Sequence, residues 1–169
     1  MIRNFKLFVI VVIAYVLQTT IISDFNILGV APNLFLVTVC GIAFLFGSTI
    51  GGVVGFLFGL LFDLTYGRAF GLYAFLGMHI GIILGQSNKR FFKDNYIVAI
   101  TFTGLATIIF ETFIYIFAIF AYNQSFNFGG YFTNIMLITL VNVILSVIVY
   151  PILLKINIGV ELDRNIFGR

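Results

Sequence analysis

Three ionisable side chains lie inside or beside apolar stretches of the sequence: Asp63, His79 and Glu111. Charged groups within a membrane are costly and usually face protein or water, and carboxylates with a histidine can relay protons in a transporter. The other interpretation is structural, with Glu111 paired to Asn134 or Asn142 and His79 a hydrogen-bonded interior histidine. We favour the structural interpretation and keep a small proton-coupled carrier as an alternative.

The sequence lacks the residue sets that familiar enzyme classes use. His79 is the sole histidine, and neither Ser48 nor Ser146 lies in a Gly-x-Ser-x-Gly turn, so a serine nucleophile has no evident activation. Cys40 is the sole cysteine, and one cysteine with one histidine and scattered acids does not match metal-ligand spacing. A Walker A loop is also absent. We therefore expect no enzyme activity, no catalytic residues, no cofactor and no metal.

The composition of the chain is that of an integral membrane protein. Of its 169 residues, 62% are hydrophobic and 9% are charged, whereas soluble domains carry about 25% charged residues. The net charge of +3 is too small and too scattered to indicate nucleic-acid binding. We expect a single transmembrane helical domain over residues 1–169, with no room for a folded soluble domain.

The apolar stretch from Leu34 to Phe62 is too long for one helix across a bilayer. As a single helix it would measure ~43 Å, whereas a hydrocarbon core is ~30 Å thick. Glycine and polar residues interrupt the stretch between Gly47 and Gly52. We therefore predict a pair of short segments broken near residues 47–50, which either crosses the membrane twice or forms a re-entrant hairpin buried in protein.

The other apolar stretches complete an all-α membrane protein with six transmembrane segments. The expected bounds are Leu7–Ile22, the pair within Leu34–Phe62, Gly71–Gln86, Tyr96–Phe120 and Tyr131–Leu154, the last ending near Pro151 and Lys155 before a polar tail.

The basic residues then fall on one side of the membrane, and only Arg68 falls on the other. Because cytoplasmic loops carry an excess of lysine and arginine, we expect both termini in the cytoplasm and residues 64–70 outside it. The residues on the cytoplasmic side are Arg3, Lys6, Lys89, Arg90, Lys93, Lys155, Arg164 and Arg169.

Glycines recur at every fourth position in two consecutive segments. Residues four apart lie on one face of a helix, and small residues at this spacing let two membrane helices touch through their backbones. The third and fourth segments are therefore predicted to pack closely, with Asp63 at the end of the first stripe. The stripes are Gly51, Gly55 and Gly59, and Gly77, Gly81 and Gly85.

Several of these motifs together resemble the MreD family of rod shape-determining membrane proteins. Leu17-Gln-Thr-Thr-Ile is followed by Gly29-Val-Ala-Pro-Asn-Leu, and the glycine-rich run to Asp63 is followed by Gly67 and Gly71-Leu-Tyr-Ala. The motif residues include Gln18, Pro32 and Asn33. The family usually has Pro-Asp-Leu where this chain has Pro32-Asn33-Leu34, so this chain loses a charge there but keeps a polar residue.

The resemblance implies a non-enzymatic scaffold of bacterial cell-wall elongation in the cytoplasmic membrane. Its implied partners are MreC and, through MreC, the RodA glycosyltransferase, its class B penicillin-binding transpeptidase and MreB filaments. The family is similar in topology to the substrate-binding S-components of energy-coupling-factor vitamin transporters. A true S-component is therefore an alternative, and polar residues such as Asp24, Arg68 and Asn127 in the predicted outer loops leave it open.

Overall fold

The computed structural model describes residues 2–22, 29–66, 71–87, 95–122 and 127–167. Six α-helices make up this part of the chain, and three of them are long and apolar enough to cross a bilayer, while three are shorter apolar helices. The prediction of an all-helical fold is therefore confirmed, and three of these helices are candidate membrane spans. The helices are α1 (Ile2–Thr20), α2 (Leu34–Phe46), α3 (Ser48–Thr65), α4 (Leu72–Gln86), α5 (Tyr96–Tyr122) and α6 (Phe128–Phe167).

Helix α2 is the centre of the bundle. Every residue from Leu34 to Leu45 is buried, and all five other helices contact α2. Its sequence is apolar on all sides, as expected of a helix enclosed by other helices. Phe35 illustrates the packing, because its ring contacts the rings of Phe58, Phe62 and Phe110. The side chains of α2 therefore form protein core rather than a lipid-facing surface.

A single glycine separates α2 from α3. Gly47 has a φ of +91°, in a region that residues with a side chain rarely adopt. Its N–H donates to the carbonyl of Ala43 at 2.9 Å, which closes α2, and α3 begins at Ser48. The prediction that the apolar stretch breaks near residues 47–50 is confirmed.

Helices α3 and α4 pack backbone to backbone along the two glycine stripes. At each of these six glycines, an added Cβ would lie 2.6 Å or closer to a main-chain atom of the facing helix. Main-chain atoms cannot rotate away as a side chain can, so any side chain here would force the helices apart. The facing positions are Gly51 with Gly81, Gly55 with Gly77, Gly59 with Ala74, and Gly85 with Ser48.

The last helix is longer than the sequence indicated. It continues to Phe167, so the prediction that it ends near Pro151 and Lys155 is wrong. A proline within a helix removes one backbone hydrogen bond, and membrane helices tolerate this loss where neighbouring groups compensate. Tyr150, Leu153 and Leu154 are buried on both sides of Pro151. Their packing keeps the helix continuous through the proline.

Helices α5 and α6 each expose an apolar stripe along most of their length. The exposed residues recur at intervals of three or four, as expected of a helix face in contact with lipid. They include Leu105, Ile109, Phe113, Ile116 and Phe120 on α5, and Phe132, Met136, Leu140, Ile144 and Ile148 on α6.

Candidate functional site

The carboxylate of Asp63 caps the first turn of α4. Its Oδ1 accepts a hydrogen bond from the N–H of Tyr73 and its Oδ2 accepts one from the N–H of Ala74, both at 2.9 Å. The first N–H groups of a helix have no partner within the helix, and the helix dipole favours a negative charge there. Asp63, which is 3% exposed, therefore joins the end of α3 to the start of α4. Gly71, with a φ of +97°, is the residue just before α4.

Gln18 of α1 holds the segment that leads into α2. Its Nε2 donates to the carbonyl of Pro32 at 3.1 Å, and its Oε1 accepts from the N–H of Leu34 at 2.6 Å. Both ends of the buried amide are thus bonded to the main chain of the Pro-Asn-Leu motif. This pair of bonds sets the position of α1 against the start of α2.

Asn33 begins α2 and connects it to α5 and α6. Its Oδ1 accepts from the N–H of Leu36 at 3.1 Å, which is an N-cap interaction. Its own N–H donates to Oδ1 of Asn142 on α6 at 2.8 Å. The Asn33 side chain also forms a hydrogen bond with Glu111 on α5. One residue therefore links three helices.

Asn142 and Thr107 extend these bonds from α6 to α5. Asn142 is fully buried, and its Nδ2 donates to Oγ1 of Thr107 at 3.3 Å. The Thr107 hydroxyl in turn donates to the carbonyl of Thr103 at 2.9 Å. Buried polar groups need such partners, and here they find them on neighbouring helices. We call this set the polar junction; its members are Gln18, Pro32, Asn33, Thr107, Glu111 and Asn142.

The polar junction lies at the start of α2 but near the middle of α5 and well inside α6. At ~1.5 Å per residue, about 16 Å of α5 extends beyond Glu111 toward Tyr122. We call residues 111–122 of α5 and 128–140 of α6 the distal halves. Because α2 begins at the polar junction, it does not continue into the space between them.

A cleft with a volume of ≈ 830 Å³ lies between the distal halves, next to the polar junction. Pockets that bind small molecules have volumes of about 300–1,000 Å³. Polar and apolar side chains both line the cleft. They come from α5 (Glu111, Ile114, Tyr115, Ala118), from Asn127 just before α6, from the first turns of α6 (Gly129, Gly130, Tyr131, Thr133, Asn134, Ile135, Ile138) and from the entry to α2 (Gly29, Val30).

Hydroxyl groups hold the two walls of this α5–α6 cleft together. The Thr112 and Tyr131 hydroxyls are 2.8 Å apart, and the Tyr115 hydroxyl accepts from the N–H of Asn127 at 3.1 Å. The rings of Tyr115 and Tyr131 also lie against each other, with centroids 4.6 Å apart. Specific hydrogen bonds and a ring contact therefore hold α5 and α6 in place around the cleft.

The structure does not bring the three ionisable residues together. His79 is exposed on α4, where its Nδ1 lies 2.8 Å from the carbonyl of Phe75, so it is hydrogen-bonded but the prediction of an interior position is wrong. Asp63 bonds to the first turn of α4, and Glu111 lies in the cleft and bonds to Asn33 rather than to Asn134 or Asn142. Within the described ranges, these bonds share no partner.

The described residues exclude Gly67 and Arg68 of the predicted site, Asp24 of a predicted outer loop, and the basic residues Lys89, Arg90, Lys93 and Arg169. Over the part of the chain that the structure does describe, no group of three or more metal-ligating side chains is found. Sequence reasoning missed Thr107, Tyr115 and Tyr131. Thr103 and Thr107 lie one helical turn apart in an apolar segment, which was a usable signal for Thr107.

The chain matches one known protein family over nearly its whole length. A family model described as rod shape-determining protein MreD matches residues 1–164. No curated protein and no solved structure matches the chain. The family match includes Gln18, the Pro32-Asn33-Leu34 motif and both glycine stripes. The chain therefore belongs to the MreD family of rod shape-determining proteins, which are non-enzymatic membrane proteins.

Proposed function

We propose that this protein is a membrane scaffold of the bacterial cell-wall elongation complex and that it acts by binding MreC. The observation that carries the proposal is the family match over residues 1–164. RodA, its class B penicillin-binding transpeptidase and MreB are then indirect partners, reached through MreC.

The geometry supports a scaffold better than a proton-coupled carrier. A relay needs ionisable groups within reach of one another, but Asp63, His79 and Glu111 bond to separate groups. The glycine stripes also bring α3 and α4 into main-chain contact, which leaves little freedom for one to slide past the other.

We also propose that the chain crosses the cytoplasmic membrane six times with both termini in the cytoplasm. The excess of lysine and arginine near one set of helix ends supports this orientation. In this orientation α2 runs from the polar junction to the cytoplasmic side, and the α5–α6 cleft opens toward the outside.

Depletion of the protein in its native host tests the proposed function. We expect depleted rods to round up and new peptidoglycan to lose its restriction to the cylindrical wall, with both restored by re-expression of the wild-type chain. Rods of unchanged width, with unchanged sites of wall synthesis, would contradict the proposal.

A vitamin-binding S-component is the second candidate, and the α5–α6 cleft is the observation that favours it. Its volume of ≈ 830 Å³ and mixed lining are typical of a small-molecule pocket. The same depletion strain distinguishes the two functions when it is grown with and without added vitamins. A growth defect that excess vitamin corrects, in cells of normal shape, would support the S-component.

A further inference from the structure

The α5–α6 cleft contains a carboxylate that its surroundings satisfy only in part. Glu111 forms a hydrogen bond with Asn33, whereas a carboxylate offers about four acceptor positions. The described residues that line the cleft include no lysine, arginine or histidine. A positively charged group that enters the cleft would therefore meet a carboxyl group that has no basic partner in the lining.

The walls of the cleft also include apolar side chains. Ile114 and Ala118 on α5 and Ile135 and Ile138 on α6 line it beside this carboxylate. Asn134, by contrast, is an exposed polar residue that lines the cleft. A polar side chain on a membrane helix commonly forms hydrogen bonds across to another helix. The cleft thus combines polar and acidic side chains with apolar walls.

The surface on the α3–α4 side of the bundle is mainly apolar. The outward faces of α3 and α4 expose mainly apolar side chains, including Val53, Leu57, Phe75 and Ile83. His79 is also exposed there, and it bonds within its own helix to the carbonyl of Phe75. Such a surface is satisfied by lipid tails, whereas an acidic cleft between membrane helices is not. The cleft is therefore the part of the described surface that most needs an occupant.

We propose that the α5–α6 cleft is the seat of a membrane-embedded segment of the partner protein, and that this segment brings a lysine or arginine to Glu111. The inference rests on the proposed function and assigns MreC its binding face. Lysine and arginine have long apolar stems that reach past apolar neighbours to place the charge, here past Ile114 and Ala118. Apolar side chains of the same segment pack against the apolar wall residues Ile135 and Ile138.

Site-specific photocrosslinking tests the position of this seat. A photoreactive amino acid is placed at Ala118 or Ile138, which line the cleft, and at the control positions Leu57 and Ile83, which are exposed on α3 and α4. Each variant is expressed with tagged MreC from the same bacterium and irradiated in intact membranes. We expect MreC adducts from Ala118 and Ile138 and none from the controls. Adducts from the controls alone would overturn the proposal.

Charge substitution tests the role of Glu111. We expect Glu111→Gln to reduce MreC recovery by about tenfold or more, because removing one side of a buried charge pair weakens binding strongly. Glu111→Lys should abolish recovery, and changing the lysine or arginine nearest the crosslink site in MreC to glutamate should restore it. Such restoration requires both variants to be folded. Failure of every such exchange, with MreC still bound to Glu111→Gln at the wild-type level, would refute the charge pairing.

The outcomes separate this inference from the function on which it rests. If MreC is recovered with the protein but never crosslinks from the cleft, the seat is wrong and the scaffold function stands. If MreC is not recovered at all, the proposed function fails as well. A small molecule retained stoichiometrically by the wild type and lost from Glu111→Gln, with MreC crosslinked elsewhere, would assign the cleft to a ligand and overturn the inference.

Discussion

At the residue scale, the buried polar side chains act largely on main-chain groups at helix starts. Asp63 bonds to two N–H groups of α4, Gln18 bonds to both sides of Asn33, and Asn142 accepts from the N–H of Asn33. Main-chain groups at helix ends have no partner within the helix, and lipid offers none. These side chains thus supply bonds that water would supply in a soluble protein.

Replacement of Asp63 by asparagine tests the cap on α4. An asparagine can accept from only one of the two N–H groups and places its own N–H₂ against the other. We expect a loss of about 1–3 kcal/mol of stability, the usual range for a hydrogen bond to a charged group. Thermal unfolding in detergent measures the effect. Equal unfolding temperatures for Asp63→Asn and the wild type would count against the cap.

Replacing Thr139 or Thr107 by valine should change the stability of the protein in opposite directions. The buried Oγ1 of Thr139 has no hydrogen-bond partner among the described residues, whereas Thr107 both accepts from Asn142 and donates to Thr103. A valine has nearly the shape of threonine without the hydroxyl. We therefore expect Thr139→Val to stabilise and Thr107→Val to destabilise the protein, each by roughly 1 kcal/mol or more. Thermal unfolding of the two variants in the same detergent checks this, and effects of the same sign would show that the assigned bonds are wrong.

At the scale of the elements, two features set the architecture: the short central helix α2 and the close pair α3 and α4. α2 is enclosed by protein and begins at the polar junction, so the distal halves of α5 and α6 have no helix between them. The α3–α4 pair depends on glycines, because the facing backbones leave no space for a Cβ. The bundle therefore combines a tightly packed α3–α4 pair with an open cleft between α5 and α6.

A substitution as small as Gly55→Ala should destabilise the bundle, because the new Cβ would overlap the carbonyl of Gly77. Gly129→Ala is the matched control, since an added Cβ there meets nothing nearer than Asn127 Oδ1 at 3.8 Å. We expect Gly55→Ala to lose several kcal/mol, as overpacked cores lose ~1–3 kcal/mol even where side chains can adjust. Gly129→Ala should unfold at or slightly above the wild-type temperature. Indistinguishable unfolding of the two variants would contradict the main-chain contact.

The sequence predicted local features of these elements better than their long-range partners. Glycine spacing indicates which helix faces meet, and Gly47 lies within the predicted break, because both signals depend on neighbouring residues. The bond between Asn33 and Asn142 joins residues 109 positions apart, and no local pattern pairs them. The end of α6 was misjudged because Pro151 is a helix breaker in isolation, while packing of Tyr150 and Leu153 overrides it.

At the scale of the whole molecule, orientation decides which side the cleft faces. Cys40 is the sole cysteine and is 2% exposed, so introduced cysteines can be labelled with little background. We expect a membrane-impermeant maleimide to label Asn127→Cys in intact cells, with the outer membrane permeabilised where there is one. Lys155→Cys should be labelled only after the cytoplasmic membrane is opened. The reverse pattern, or labelling of both from outside, would contradict the proposed topology.

Gentle detergent purification of the tagged protein from its native host tests the central claim most directly, with mass spectrometry of the proteins and small molecules that remain bound. The account predicts recovery of MreC, with or without RodA and the transpeptidase. Recovery of paired ATPase subunits or a stoichiometric vitamin, without MreC, would contradict the scaffold and identify a transporter subunit.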